Sequence, residues 1–143
     1  MRVVFDTNVI IDAIAGRKPF DTEAKKLLLL AAKDEFKGYI TANSVTDIYY
    51  VVRRSLTEDE TRLIIKSVLY SLDIIGVSDE DCRQAFNSTI RDYEDALLAT
   101  CAEKIDADSI VSRDAEFLKS DSSVPVCSPL ELLEKLNVED CLD

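Results

Sequence analysis

Histidine is absent from this chain. That absence excludes Ser-His-Asp and Cys-His catalysis. It also makes a His/Cys zinc site untenable, because Cys82, Cys101, Cys127 and Cys141 are widely spaced and form no C-x-x-C pair. Buried free thiols are the expected state of those cysteines. Acid–base or metal chemistry must therefore run on carboxylates, lysines or tyrosines. Basic residues are also short: 17 Lys and Arg stand against 28 Asp and Glu, for a formal net charge of −11. Such a balance argues against binding nucleic acid by bulk electrostatics. It does not exclude a nuclease, since a bound divalent cation reverses the local field. It also suits a partner that brings a basic segment. No apolar run approaches the ~20 residues that span a bilayer, and Met1-Arg2 leads straight into an apolar run with no signal-peptide pattern. A cytoplasmic protein with no membrane contact is expected. Repeats, low-complexity stretches and linkers are missing too.

What remains is an ordinary globular composition, 47% hydrophobic over 143 residues, enough for one domain with a real core. Residues 2–6 read as a strand buried on both faces. Val9, Ile10, Ala13 and Ile14 follow with helical spacing, ended by Gly16. Asp21 opens a helix with an apolar face through about Phe36, and Gly38 is its expected stop. Tyr39–Thr41 is a second strand, after which Asn43 or Ser44 caps a helix carrying Val45, Ile48, Tyr49 and Val52. Thr57 and Glu60 have capping-box spacing at the start of the next helix. Residues 73–77 form a third strand. Ser78 then caps a helix that turns Cys82, Ala85 and Phe86 inward. Residues 92–104 form a helix, 108–112 a fourth strand, and 115–118 a short helical turn. Val124-Pro125-Val126 is an edge strand because of its proline. Pro129 starts a last helix. The domain is expected over residues 1–137, with 138–143 an unstructured acidic tail. Strands alternating with helices predict an α/β fold, a central parallel sheet of four to five strands with helices on both sides.

Five acidic positions stand out at comparable places in this pattern. Asp6 ends strand one, where open α/β sheets put their ligands. Asp47 lies in the first turn of the helix after strand two. Asp92 and Asp95 lie three apart in the first turn of the helix before strand four. Asp114 follows strand four by two residues. Carboxylates gathered without a cation repel one another and take up protons. Their convergence at neutral pH therefore points to Mg²⁺ or Mn²⁺, which take oxygen ligands. Such an ion activates water and stabilises charge on a phosphodiester. Asn8 and Ser112 add neutral polar groups beside Asp6 and Asp114. Asp residues in first helical turns are also ordinary caps, and Asp92 in particular is placed as one. Asp12 reads as solvent-facing or structural. Arg53-Arg54 and Lys25-Lys26 are positioned to touch phosphate but read first as solvated faces. Tyr49-Tyr50 reads as core packing before a base-stacking platform. Leu27–Leu30 is core or a dimer face.

The segments Phe5–Asp12, Ile40–Asp47, Asp92–Ala99 and Ile110–Asp114 resemble, in order and spacing, the four motifs of the PIN domain family, over residues 2 to about 127. The resemblance implies a three-layer α/β/α sandwich and Mg²⁺- or Mn²⁺-dependent endoribonuclease activity. Single-domain members of this size resemble the VapC-type toxins of toxin–antitoxin pairs. Carried over by position, Asp6, Asp95 and Asp114 match the acidic metal ligands, and Asp92 an extra acid found in part of the family. Asp47 stands at a catalytic position that is often Glu, and its shorter side chain implies a water-mediated contact. Thr7, Asn8 and Ser112 match the polar support residues. The implied partners are an RNA substrate, a cognate antitoxin that places a basic side chain among the carboxylates, and a second copy in a homodimer.

Two other readings compete. A PIN fold with a weak or decayed site, used as a binding module, is consistent with the charge and with Asp47. A response-regulator or phosphatase-type domain also puts Asp after its first strand. Asp6-Thr7-Asn8, however, lacks the adjacent acid or D-x-D pattern of those folds, and no lysine follows the late strands in the expected place.

Overall fold

The computed structural model describes residues 1–142, with side chains described through Asn137. Five strands form one sheet: β1 (Arg2–Phe5), β2 (Lys37–Thr41), β3 (Asp73–Ile75), β4 (Ser109–Val111) and β5 (Val126–Cys127). They lie in the order β3-β2-β1-β4-β5, and every neighbouring pair is parallel. The helices are α1 (Thr7–Ala15), α2 (Asp21–Ala32), α3 (Ala42–Val52), α4 (Glu58–Ser71), α5 (Asp79–Phe86), α6 (Tyr93–Lys104), α7 (Ala115–Leu118) and α8 (Pro129–Leu142). No described helix is long and apolar enough to cross a membrane.

Alternation along β1 sets the three layers. Val3 and Phe5 point into a core with α1, α2, α3, α4 and α8. Val4 points the other way, into a core with α5, α6 and Phe117 of α7. In β4, Val111 and Ile110 divide between the two faces in the same manner. With both faces covered, these strands read as continuous apolar runs rather than alternating ones, which is the mark of a parallel sheet.

The strand order places the site. The chain winds β1, β2, β3 in one direction and then crosses back to β4 and β5 on the other side of β1. The C-terminal ends of β1 and β4 therefore flank the point where the winding reverses, and crevices open there in such sheets. Phe5 is in register with Val111, so the residues after them emerge side by side. The amide of Asp6 still donates to the Val111 carbonyl at 2.9 Å, which fixes the start of the tip to the sheet.

Several local expectations change. Gly38 does not stop α2. It lies inside β2, while α2 ends at Ala32 with Lys33 as its C-cap, and Asp34 turns the chain with φ 60. A Cβ on Gly38 would stand 2.6 Å from Leu72 Cδ2 and 3.2 Å from both Ala31 and Phe5, so the strand needs glycine for close packing. The N-cap of α3 is Thr41 rather than Asn43 or Ser44, because the helix begins directly at the strand end. The capping boxes at Thr57 and Ser78 form as their spacing suggests. Phe86 is not inward: it is 80% exposed, while Ala85 carries the buried face of α5. The fifth strand sits at the sheet edge but runs over Val126–Cys127, with the Pro125 carbonyl accepting from Ile110 at 2.8 Å. The α8 backbone continues to Leu142, past the expected start of a tail at 138, since Asn137-Val138-Glu139-Asp140 contains no glycine or proline to stop it. Asp143 lies outside the described residues. Cys82, Cys101 and Cys127 are free thiols as expected, but only Cys101 of these three is fully buried, Cys82 and Cys127 being half-buried; Cys141 lies beyond the described side chains.

Candidate active site

Four helix N-termini meet the C-terminal edge of the sheet. Helices α1, α3 and α7 start directly after β1, β2 and β4, and α6 runs toward the start of β4 from the same edge. Each presents unpaired N–H groups and the positive end of its dipole. The acids sit in this ring. Asp6 is the N-cap of α1, Asp92 that of α6 and Asp114 that of α7.

These caps are not equivalent. Asp92 accepts the Asp95 amide at 3.0 Å, and Asp114 accepts the Glu116 amide at 3.0 Å. The capping role expected for Asp92 is thus real, and it holds the carboxylate in place. Asp6 makes no side-chain cap bond. Its Oδ2 instead accepts from Ser112 Oγ at 2.7 Å and from Asn8 Nδ2 at 3.3 Å. Ser112 is fully buried, and its Oγ also accepts the Asp114 amide at 3.1 Å. One hydroxyl therefore ties the tip of β1 to the loop that carries Asp114. Thr7 plays a parallel part toward the second strand. Its Oγ1 lies 2.8 Å from Ser44 Oγ, which lies 2.9 Å from Thr41 Oγ1.

Charge shows which acids face one another. Burial first, then the charges of Asp92, Asp6, Asp114 and Glu94, push the Asp95 carboxyl up to about 7. Asp6 is raised by burial, with Ser112 opposing and Asp114 and Asp92 adding to it. Glu94 is raised by burial and then by Asp47, Asp6 and Asp92. Asp6, Asp92, Asp95 and Asp114 thus form one mutually repelling group. Asp47 joins it through Glu94. Among the described residues, no three of these side chains close to a preformed metal cage.

The donor set fits a hard cation nonetheless. Every candidate ligand is an oxygen, and histidine and cysteine take no part. Asn8 Oδ1 is buried with no hydrogen-bond partner, an open acceptor beside Asp6 of the kind that a cation's water shell occupies. Mg²⁺ keeps several waters, so carboxylates within charge range rather than contact range suit it.

Glu94 and Ser44 are further candidate site residues, which the sequence alone did not single out as such. Glu94 lies inside the Asp92–Ala99 segment, and its place between two acids in a first helical turn was the available signal. Ser44 reads as a cap from its type, whereas it is buried and joins Thr7 to Thr41. Of the two readings of Asp12, the structural one holds and the solvent-facing one does not: it is 1% exposed and paired with Arg113, at 2.5 Å and 3.2 Å. Since Arg113 lies between Ser112 and Asp114, that ion pair anchors the loop holding two site residues.

A protein-family model described as PIN domain matches residues 2–116. No curated protein matches the sequence. Several solved structures share the fold. VapBC2 from Rickettsia felis bound to a DNA fragment from their promoter is 20% identical, with a TM-score of 0.66, covering 90% of this chain and 98% of that one. A toxin–antitoxin complex from Klebsiella pneumoniae is 20% identical with a TM-score of 0.64, covering 89% and 97%. VapC20 from Mycobacterium tuberculosis, a sarcin–ricin loop cleaving toxin, is 13% identical with a TM-score of 0.64, covering 80% and 92%.

Proposed function

From the premise that this chain belongs to the PIN domain family, we propose that it is a divalent-cation-dependent endoribonuclease and the toxin of a toxin–antitoxin pair. The observation that carries this reading is the gathering of acids where the winding of the sheet reverses: Asp6, Asp92 and Asp114 are the N-caps of α1, α6 and α7, and the buried Ser112 hydroxyl ties Asp6 to the Asp114 loop.

Asp6, Asp95, Asp114 and Asp92 would hold the Mg²⁺ or Mn²⁺ ion, with Asp47 and Glu94 completing the negative wall. When bound, the ion neutralises charge developing on the phosphodiester and lowers the pKa of water. The chain's own part is positional. Ser112 fixes Asp6 and the Asp114 loop together. Asp92 and Asp114 each commit one oxygen to a cap, so neither carboxylate rotates freely. Asn8 offers its unpartnered carbonyl oxygen to a water proton. Water attacks the phosphorus in line, leaving a 5′-phosphate and a 3′-hydroxyl.

The Klebsiella and Rickettsia structures support an antitoxin partner, and VapC20 supports RNA as substrate. A net charge of −11 favours an antitoxin with a basic segment, whose cation would sit among the carboxylates. Leu29, 55% exposed on α2, supports the homodimer, since Leu27 of the same run is core. The setting we infer is the cytoplasm. End-labelled RNA incubated with the protein and Mn²⁺ tests the reading. Cleavage that stops with EDTA and leaves 5′-phosphate ends is expected; EDTA-resistant cleavage, or none, contradicts it.

A further inference from the structure

The crevice does not explain how a chain this acidic holds a polyanion beyond the cut itself. The surface next to it does. Asp47 and Tyr50 are both exposed and three apart on α3, so they share a helix face. Tyr50 is 58% exposed, although core packing was expected of it. Three residues further on, Arg53 lies over both rings, its guanidinium carbon 5.4 Å from the centre of Tyr49 and 5.9 Å from that of Tyr50. The two rings meet edge to face at 5.3 Å. Tyr49 is itself pinned, its hydroxyl donating to the Glu58 carboxylate at 3.0 Å. The platform is therefore assembled before any ligand arrives.

Charge points the same way. Arg53, Arg54, Arg62 and Lys66 are all exposed, and among the described residues none of the four makes an ion pair. Arg62 and Lys66 line a groove of about 630 Å³ with Tyr49, Leu63 and Leu69, where Asp59 is the one acid. Four of the chain's 17 basic residues thus gather beside an aromatic pair, one turn of helix from an acid of the site. Glu58 on Tyr49 and Asp59 in the groove offset part of this charge, so the face suits a ligand that combines stacking rings with phosphate, as a nucleic-acid strand does.

We propose that the Tyr50–Arg53 face of α3 is the track on which single-stranded RNA lies beside the cleavage crevice. One base stacks on Tyr50, and Arg53 contacts the adjoining phosphate. This deepens the ribonuclease reading and rests on it for the identity of the strand. Stacking suits this chain because it supplies affinity without net positive charge and tolerates any base. Arg53, already ordered on the rings, loses little freedom when it meets phosphate.

The test uses the full chain and a short, fluorescently labelled, mixed-sequence single-stranded RNA. Binding is measured by anisotropy in EDTA, where nothing is cut, and cleavage is then measured in Mn²⁺. Tyr50→Ala should weaken binding about tenfold, whereas Tyr50→Phe retains it. Arg53→Gln should flatten the slope of log affinity against log salt by about 0.7. In Mn²⁺ both changes should raise KM and leave kcat near the wild-type value, a split that a general folding defect does not produce. Unchanged RNA binding by Tyr50→Ala and Arg53→Gln overturns the proposal. So does a change in oligomeric state by gel filtration with RNA binding intact, which assigns the face to a protein partner. The binding arm contains no cation, so it judges the track even if the wild type proves unable to cleave.

Discussion

Replacing Asp95 by Asn should make the metal-free protein more stable. The Asp95 carboxyl is pushed from the ordinary 3.8 up to about 7, first by burial and then by Asp92, Asp6, Asp114 and Glu94. The folded state thus holds this proton more tightly than the unfolded state does. Stability is then greatest below the unfolded value, falls as pH rises from about 4 to about 7, and stays lowered above that. A shift of about three pH units corresponds to ~4 kcal/mol if fully realised. Asp95 is only partly shielded from water, and screening should leave about 1–2 kcal/mol of it. For a chain of this size that is a rise in melting temperature of roughly 3–8 °C. Thermal melts in EDTA measure it directly. Asp95→Asn should melt above the wild type at about pH 8 and level with it at about pH 5, where the wild-type carboxyl is itself neutral. Adding Mn²⁺ should then raise the wild type more than the variant, because only the wild type gains a ligand's charge. A variant that melts no higher than wild type at about pH 8 in EDTA would refute the crowding of charge on which the site rests.

Other perturbations probe the supports. Ser112→Ala removes the hydroxyl that joins Asp6 to the Asp114 amide. Its cleavage rate should fall about 10- to 100-fold, as for other groups that orient metal ligands, and urea unfolding should show a loss of about 1–3 kcal/mol from the partners left without a hydrogen bond. Arg113→Met leaves Asp12 buried without its partner; urea unfolding should show a loss of about 3–5 kcal/mol. Gly38→Val drives a side chain against Leu72, Ala31 and Phe5. A loss of about 1–3 kcal/mol in the same assay is expected from overpacking, with no change in cation affinity.

The sheet was legible because buried parallel strands advertise themselves: Val3-Val4-Phe5 and Ile110-Val111 are apolar on both faces and end in polar tips. Asp6, Asp92 and Asp114 were legible for the same reason, since each stands at a strand or helix end whose position the apolar pattern sets. What escaped depended on partners distant in the chain. Asp12 could be read as solvent-facing or structural, and its sequence could not choose because its partner, Arg113, is 101 residues away. Gly38 looked like a helix stop because nothing local reveals that Leu72 fills the space a Cβ would need there. Phe86 and Tyr50 looked like core because aromatic residues usually are, and only the finished surface shows them outside. The linkage of Ser44 to Thr7 and Thr41 likewise exists only once β1 and β2 lie side by side.

The central claim is that the carboxylate ring at the ends of β1 and β4 cuts RNA with a divalent cation. Cleavage of labelled RNA in Mn²⁺ by the wild type and by Asp6→Asn, side by side, tests it most directly. Asp6→Asn keeps the shape of the tip and removes the charge, so cutting by the wild type and its loss in the variant is the predicted result. Equal cleavage by the two proteins would contradict the account.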